Sequence, residues 1–216
     1  MATFGDLRTT LDDLAGLDLT PTERDRLLNE GHRTLCLRAE WTRADLDIGP
    51  TVTGQQDYPL PDDLDRIYNL WLGNKQARYS TWEQVRGILN GELSFNQPWG
   101  DSLYFQSFPA GQRCVGLFPV PDDPAGEPIN VRGVTRPPLM AEDDDIPAVP
   151  PEYTQAIADY ATSIALGSAE DLDNDRAFFM DSFSRAVIEL RTQGIEAWSQ
   201  GPTSIQFAGY HFPSER

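Results

Sequence analysis

Side chains that could do chemistry are few in this chain, and their spacing suits catalysis poorly. General acid–base or nucleophilic work needs a base, usually histidine, close to a nucleophile. The 216 residues offer only His32 and His211. His32 stands four residues before Cys36 on a helical stretch, so the two share a face. Two ligands nevertheless fall short of the four that zinc takes. Neither common Gly-rich phosphate loop occurs, which leaves nucleotide hydrolysis without support. Carboxylates are more plentiful. Asp171-x-Asp173-x-Asp175 imitates the opening of a calcium loop, but Arg176 replaces the required glycine and Ser182 the bidentate glutamate. Those aspartates are better explained as offsets to the positive end of a helix dipole. Glu142-Asp143-Asp144-Asp145 lies in a proline-rich connector and reads as a solvated charge run. The expectation is no catalytic residue, no metal site and no cofactor.

Composition narrows the class further. With 17 basic and 34 acidic residues the net charge is −17, and the single lysine is Lys75. No basic stripe can neutralise a row of phosphates, so sequence-specific nucleic-acid binding is disfavoured. Such acidity keeps a protein soluble and suits a body that nucleic acid passes without sticking. Cys36 and Cys114 are too few for a disulfide scaffold and read as buried thiols, although the sequence leaves open whether they pair. No run of about 18 apolar residues and no secretory leader is visible, so neither secretion nor membrane insertion is expected.

The elements that must position these residues follow from periodicity. Phe4, Leu7, Leu11 and Leu14 recur at helical intervals and Gly16 ends the run. Thr20-Pro21-Thr22-Glu23 then combines a capping threonine, a proline at the first helical position and a glutamate three residues beyond the cap. The helix it starts, with Leu27, Leu28, Gly31, Leu35 and Ala39 on one side, is expected to reach between Trp41 and Asp45. From Gly49 the chain turns extended, and Arg66 to Leu72 reads as a strand closing at Gly73-Asn74. Ser80-Thr81-Trp82-Glu83 opens a short helix, capped by Ser80, that ends at Asn90-Gly91. Strand-like runs follow at 102–108, 113–120 and 129–134.

Residues 136–151, RPPLMAEDDDIPAVPP, can neither continue a helix nor pair in a central strand, and mark a boundary. Beyond them, Ala156, Ile157, Tyr160, Ala161 and Ile164 line one helix, and Ala177, Phe179, Phe183, Val187 and Leu190 a longer one. Small residues in the first allow a close approach that aromatics of the second would fill. The segment 194–216 carries Trp198, Phe207, Tyr210 and Phe212, too many aromatics for a plain solvated end. The predicted fold class is α+β: a helical bundle built from the N- and C-terminal helices, an inserted antiparallel β region and an extended C-terminal arm. The expected divisions are 1–47 for the first bundle helices, 48–136 for the β region with its short helix, 137–193 for connector and helix hairpin, and 194–216 for the arm.

Three stretches in this order resemble the head–tail adaptor (neck, gatekeeper or head-completion) proteins of tailed bacteriophages. They are Leu28-Asn29-Glu30-Gly31 within the second helix, DYPLPDDLDRI at 57–67, and PEYTQAIADYATSIALG followed by a long helix with AVIEL at 186–190. What the resemblance implies is a structural virion protein, not an enzyme, assembled in the host cytoplasm and located in the neck between capsid and tail. It implies docking on the portal protein as a homo-oligomeric ring of about twelve copies, closed by one patch meeting a different patch. The ring would lengthen the DNA channel, without sequence-specific binding, and offer a platform to the tail or to a nozzle or stopper protein. By the same resemblance 194–216 is the arm that reaches the portal, with Trp198, Phe207, Tyr210 and Phe212 as anchors of the kind interfaces favour. A tail folded back over its own bundle is the plainer alternative. Two other readings compete: a stopper or tail-completion protein one ring further out, and an acidic DNA mimic that inhibits a nucleic-acid enzyme. The mimic would need carboxylates in regular phosphate-like rows, whereas these gather in the connector and at helix starts.

Overall fold

The computed structural model describes residues 2–92, 102–123, 126–167 and 173–199. The chain splits into two compact units, Met1–Thr42 together with Arg136–Arg216, and Arg43–Thr135. Helices from before and after the sheet therefore meet in one helical unit, the sheet is an insertion, and the fold is α+β.

Helix α1 (Phe4–Ala15) begins with a capping box between Thr3 and Asp6 and ends at Gly16, which is left-handed at φ 59°. Its buried face is Phe4, Leu7, Leu11 and Ala15. Helix α2 (Pro21–Arg38) starts as the sequence predicts: the Thr20 side chain accepts the Glu23 N–H, and Pro21 occupies the first turn, where no amide donor is needed. It stops earlier than expected. Glu40 turns left-handed at φ 54°, its N–H bonds the Leu37 carbonyl at 3.3 Å, and the Trp41 N–H bonds the Cys36 carbonyl at 2.9 Å. That is a Schellman closure with glutamate where glycine is usual, so the stop carries no sequence signal.

Helix α4 (Thr154–Leu166) follows a 3-10 turn at Pro151–Tyr153. Only Gln155 and Ile164 of its thirteen residues escape full burial, because α1, α2 and α5 all pack on it. A helix buried all round needs small or apolar residues throughout, which Ala156, Ala158, Ala161 and Ala165 supply. Helix α5 (Asp173–Ser199) packs on it through Phe183 and Leu190, with Met180, Ala186 and Val187 partly covered. The Tyr160 and Phe183 rings lie 4.9 Å apart, the filled gap anticipated between these helices. Ala177, expected on the packed face, is exposed, and α5 continues through Gly194, which is buried, to Ser199.

The second unit is a seven-stranded sheet in the order β1-β7-β3-β4-β5-β6-β2. The strands are β1 (Arg43–Pro50), β2 (Asp57–Pro59), β3 (Leu64–Leu72), β4 (Lys75–Tyr79), β5 (Leu103–Ser107), β6 (Cys114–Phe118) and β7 (Pro128–Thr135). Every pairing is antiparallel except β4 with β5, so the sheet is mixed. A parallel pair needs a crossover connection, and helix α3 (Trp82–Leu89) lies in that connection. The α3 cap is Thr81, in a capping box with Gln84; Ser80, the residue expected there, instead hydrogen-bonds the Gln84 side chain at 3.0 Å. Strands β1 and β4 had no sequence-level counterpart. Each buries a single alanine, Ala44 and Ala77, and so lacks the alternation that marks a strand. Leu64, Leu70, Val115, Leu117, Ile129 and Val131 form the centre of the sheet's core.

Candidate functional site

Residues 136–150 form neither helix nor strand, yet they are fastened onto the helical unit. Asn29 on α2 grips Met140 from both sides: its Oδ1 accepts the Met140 N–H at 2.8 Å and its Nδ2 donates to the Met140 carbonyl at 2.9 Å. The carbonyls of Asp145 and Asp143 accept the N–H groups of Phe4 and Gly5 at 2.8 and 3.0 Å. Those are first-turn donors of α1 that the helix itself cannot satisfy. Arg8 completes the join. Its guanidinium forks onto Asp25 with two bonds of 2.7 Å, donates to the Ala141 carbonyl at 3.1 Å and pairs with Asp143. Hydrogen bonding to Asp25, then to Asp143, raises the Arg8 pKa further above its already high ordinary value against the opposing effect of burial. The Asp145 carboxylate accepts the Ala141 and Glu142 N–H groups, and this holds its pKa below the ordinary range. The acidic run is thus more than a solvated face, since two of its residues cap a helix through their backbone.

His32 serves the same join. It is 1% exposed, and its Nε2 accepts the Ala148 N–H at 2.9 Å. Burial lowers its pKa to about 4, so the ring is neutral near pH 7. Cys36, one turn on, is a buried free thiol whose pKa burial pushes up to about 12. It is therefore not a thiolate nucleophile. Cys114 is likewise free and buried, in the other unit. Among the described residues no group of three or more His, Cys, Asp or Glu side chains could hold a metal ion. Asp173 and Asp175 occupy the first turn of α5, where they oppose the dipole, and Asp171 lies outside the described residues.

The Leu28-Asn29-Glu30-Gly31 step now has a physical content, residue by residue. Leu28 is fully buried, Asn29 holds the connector, and Glu30 Oε1 accepts the Tyr160 hydroxyl at 3.3 Å. Gly31 lets α4 approach: a Cβ there would stand 2.8 Å from the Ile157 carbonyl oxygen. Four consecutive residues thereby join α2 to the core, the connector and α4.

Of the residues expected to bind a partner, Trp198 falls in the last turn of α5, and its side chain lies outside the described residues. Phe207, Tyr210 and Phe212 lie outside them altogether. Two surfaces escaped sequence reasoning. One is an open groove of about 830 Å³ along the outer side of α2, lined by Arg26, Glu30, Arg33 and Leu37 and edged by Leu139. The other is the outer side of α5, where Phe178, Ile188 and Ile195 are exposed. A three-and-four spacing on that side was the signal available for the second; the groove is shaped by the connector and had none. No helix among the described residues is long and apolar enough to cross a membrane.

No curated protein matches this chain. Residues 2–206, however, match the family model described as SU10 adaptor protein. With terminal helices joined in one unit and the family model covering nearly the whole chain, the chain belongs to the SU10 adaptor protein family, the head–tail adaptors of phage virions.

Proposed function

We propose that this chain is the head-to-tail adaptor that docks on the portal ring, extends the channel through which DNA passes, and gives the tail or a stopper protein its platform. The observation that carries the reading is the family match over residues 2–206, in a family whose work is structural rather than catalytic. A second feature supports it. Helices α1 and α2 and the connector are tied together by Asn29, His32, Arg8 and the Asp143 and Asp145 carbonyls, and α4 is joined to α2 through Glu30 and Tyr160, which suits a wall under load. The copies form a homo-oligomeric ring of about twelve, each meeting the next through two different patches. The net charge of −17 lets DNA slide without adhering. The arm 200–216, with Phe207, Tyr210 and Phe212, and Trp198 just before it, anchors the ring to the portal.

The test is co-sedimentation of the full chain with purified portal rings, followed by electron-microscopy class averages of the pellet. A second ring of density stacked on the portal is expected, lost when 200–216 is deleted from a chain that still melts at the same temperature. A chain that stays in the supernatant at every concentration, or a deletion that still binds, refutes the docking or the role of the arm respectively.

A further inference from the structure

Helix α5 carries two seams. One, through Phe183, Leu190 and Gly194, faces the bundle. The other is formed by Phe178, Asp181, Arg185, Ile188, Thr192 and Ile195, which follow one another at intervals of three and four and are all exposed. At 3.6 residues per turn its centre falls about 170° from the first, on the opposite side of the helix. Three members are large and apolar, with Phe178 69%, Ile188 66% and Ile195 51% exposed. The other three are satisfied within the helix: Asp181 pairs with Arg185 at 2.5 Å, and the Thr192 hydroxyl donates to the Ile188 carbonyl at 2.8 Å. They can enter an interface without leaving a lone charge behind. A sustained three-four alternation is the pattern by which one helix packs along another.

The surface that fits it is the groove on α2. From Thr22 to Leu37 the groove runs about 22 Å and the α5 seam about 26 Å, at 1.5 Å per residue. Charge points the same way. In a chain of net −17 the groove carries Arg33 and Arg38 beside the Arg26–Glu30 pair. Its carboxylates are engaged, Asp25 by Arg8 and Glu30 by Arg26, and among the described residues no carboxylate pairs with Arg33. Glu189, exposed beside Ile188, flanks the seam with the opposite sign. Leu37 and Leu139, the latter 80% exposed, offer the apolar surface that Ile188 and Phe178 need.

We propose that the outer seam of α5 in one copy seats in the α2 groove of the next copy. The contact joins two different faces and can therefore repeat around a ring; it rests on the ring reading given above. A photoreactive benzophenone side chain placed at Ile188 in the full-length chain, mixed with isotopically heavy copies, tests it directly. Cross-linked peptides are expected to join light α5 to heavy α2 or to the segment around Leu139. Ile188→Asp is expected to weaken self-association roughly tenfold or more, as loss of a central apolar anchor does, while Gln193→Asp, on another side of α5, leaves it unchanged. Cross-links from α5 to α5, which mean a symmetric pair, overturn the proposal, as does the absence of any cross-link from α5 to α2 or to the Leu139 segment. Native mass spectrometry of the same samples separates the two ideas. Rings without the α5–α2 cross-link sink this contact alone, the cross-link in open chains that never close sinks the ring, and monomers with no cross-link sink both.

Discussion

Acidification from neutral pH should loosen this protein through one buried histidine. The His32 ring is buried and neutral, its Nε2 holds the Ala148 N–H, and its pKa falls from 6.5 to about 4 on folding. Above pH 6.5 both folded and unfolded chains carry a neutral ring and the group adds no pH dependence. Between 6.5 and about 4 the unfolded chain binds a proton that the folded chain refuses, so stability drops as the pH drops. Below about 4 both states are protonated and the loss stops growing. At roughly 1.4 kcal/mol per pH unit, the loss reaches about 2 kcal/mol by pH 5 and about 3 kcal/mol in full. The Asp145 carboxylate adds a loss of the same sign at lower pH, because its pKa is held below the ordinary 3.8. Urea midpoints measured between about pH 7 and pH 5 therefore isolate the histidine. In His32→Gln the amide oxygen can still accept the Ala148 N–H but cannot titrate, so its midpoint is expected to stay level over that range. The variant keeps His211, the other histidine, as an internal control. A wild-type midpoint that does not move between pH 7 and 5, or a His32→Gln variant that retains the full slope, would refute the account of His32 as a neutral clasp.

Four further outcomes are expected. Thr81→Ala removes the acceptor for the Gln84 N–H and costs about 1 kcal/mol in a denaturant titration, as does Thr20→Ala at α2. Ser80→Ala loses one side-chain bond to Gln84 and no cap, so its midpoint should move less than that of Thr81→Ala; the reverse order would contradict the cap assignment. Asn29→Ala strips Met140 of both its partners and is expected to cost about 2 kcal/mol, at about 1 kcal/mol per bond, with faster hydrogen exchange at the Met140 amide as a local signature. Gly31→Ala improves intrinsic helix propensity by about 1 kcal/mol but sets a methyl 2.8 Å from the Ile157 carbonyl oxygen. Net destabilisation of about 1–2 kcal/mol is expected, since backbone on both sides must move, and a stabilised variant would mean that α2 and α4 do not pack as described.

Some of this architecture was plain in the sequence because local chemistry and tertiary role agree there. Thr20-Pro21 starts a helix by supplying an acceptor and omitting a donor, and Gly16 ends one by reaching φ 59° without strain. Where they disagree, the reading failed. The α2 stop uses a left-handed Glu40, a residue no propensity argument would put there, and the strand after it, RADLDIGP, buries only Ala44. Its place at the sheet edge comes from pairing with β7 and from the Asp45–Arg132 ion pair at 2.7 Å, both of which are long-range. The acidic connector was read for its side chains alone, and Glu142, Asp143 and Asp144 are indeed exposed. A charge run looks solvated when only side chains are considered, whereas Asp143 and Asp145 use their carbonyl oxygens to cap α1. The second apolar stripe on α5 was hidden because its residues are interleaved in sequence with the first, and two seams on opposite sides of a helix cancel in any simple amphipathic count.

The way the helical unit is closed explains why it places strong demands on particular residues. An insertion of a whole sheet between α2 and the connector means that residues 136–150 return to the bundle with no helix of their own to dock. Their backbone donors and acceptors must therefore find partners on α1 and α2, since leaving them buried and unpaired would cost more than any single side chain returns. Asn29, with a donor and an acceptor on one amide, is the residue type that satisfies both backbone groups of Met140 at once. A neutral imidazole does the same for Ala148 without bringing a charge into the core. Gly31 then lets α4 close over the result. Asn29, His32 and Arg8 are used here to return the chain to its bundle, and the outer sides of α2 and α5, which take no part in that closure, are where the proposed contact between copies is drawn.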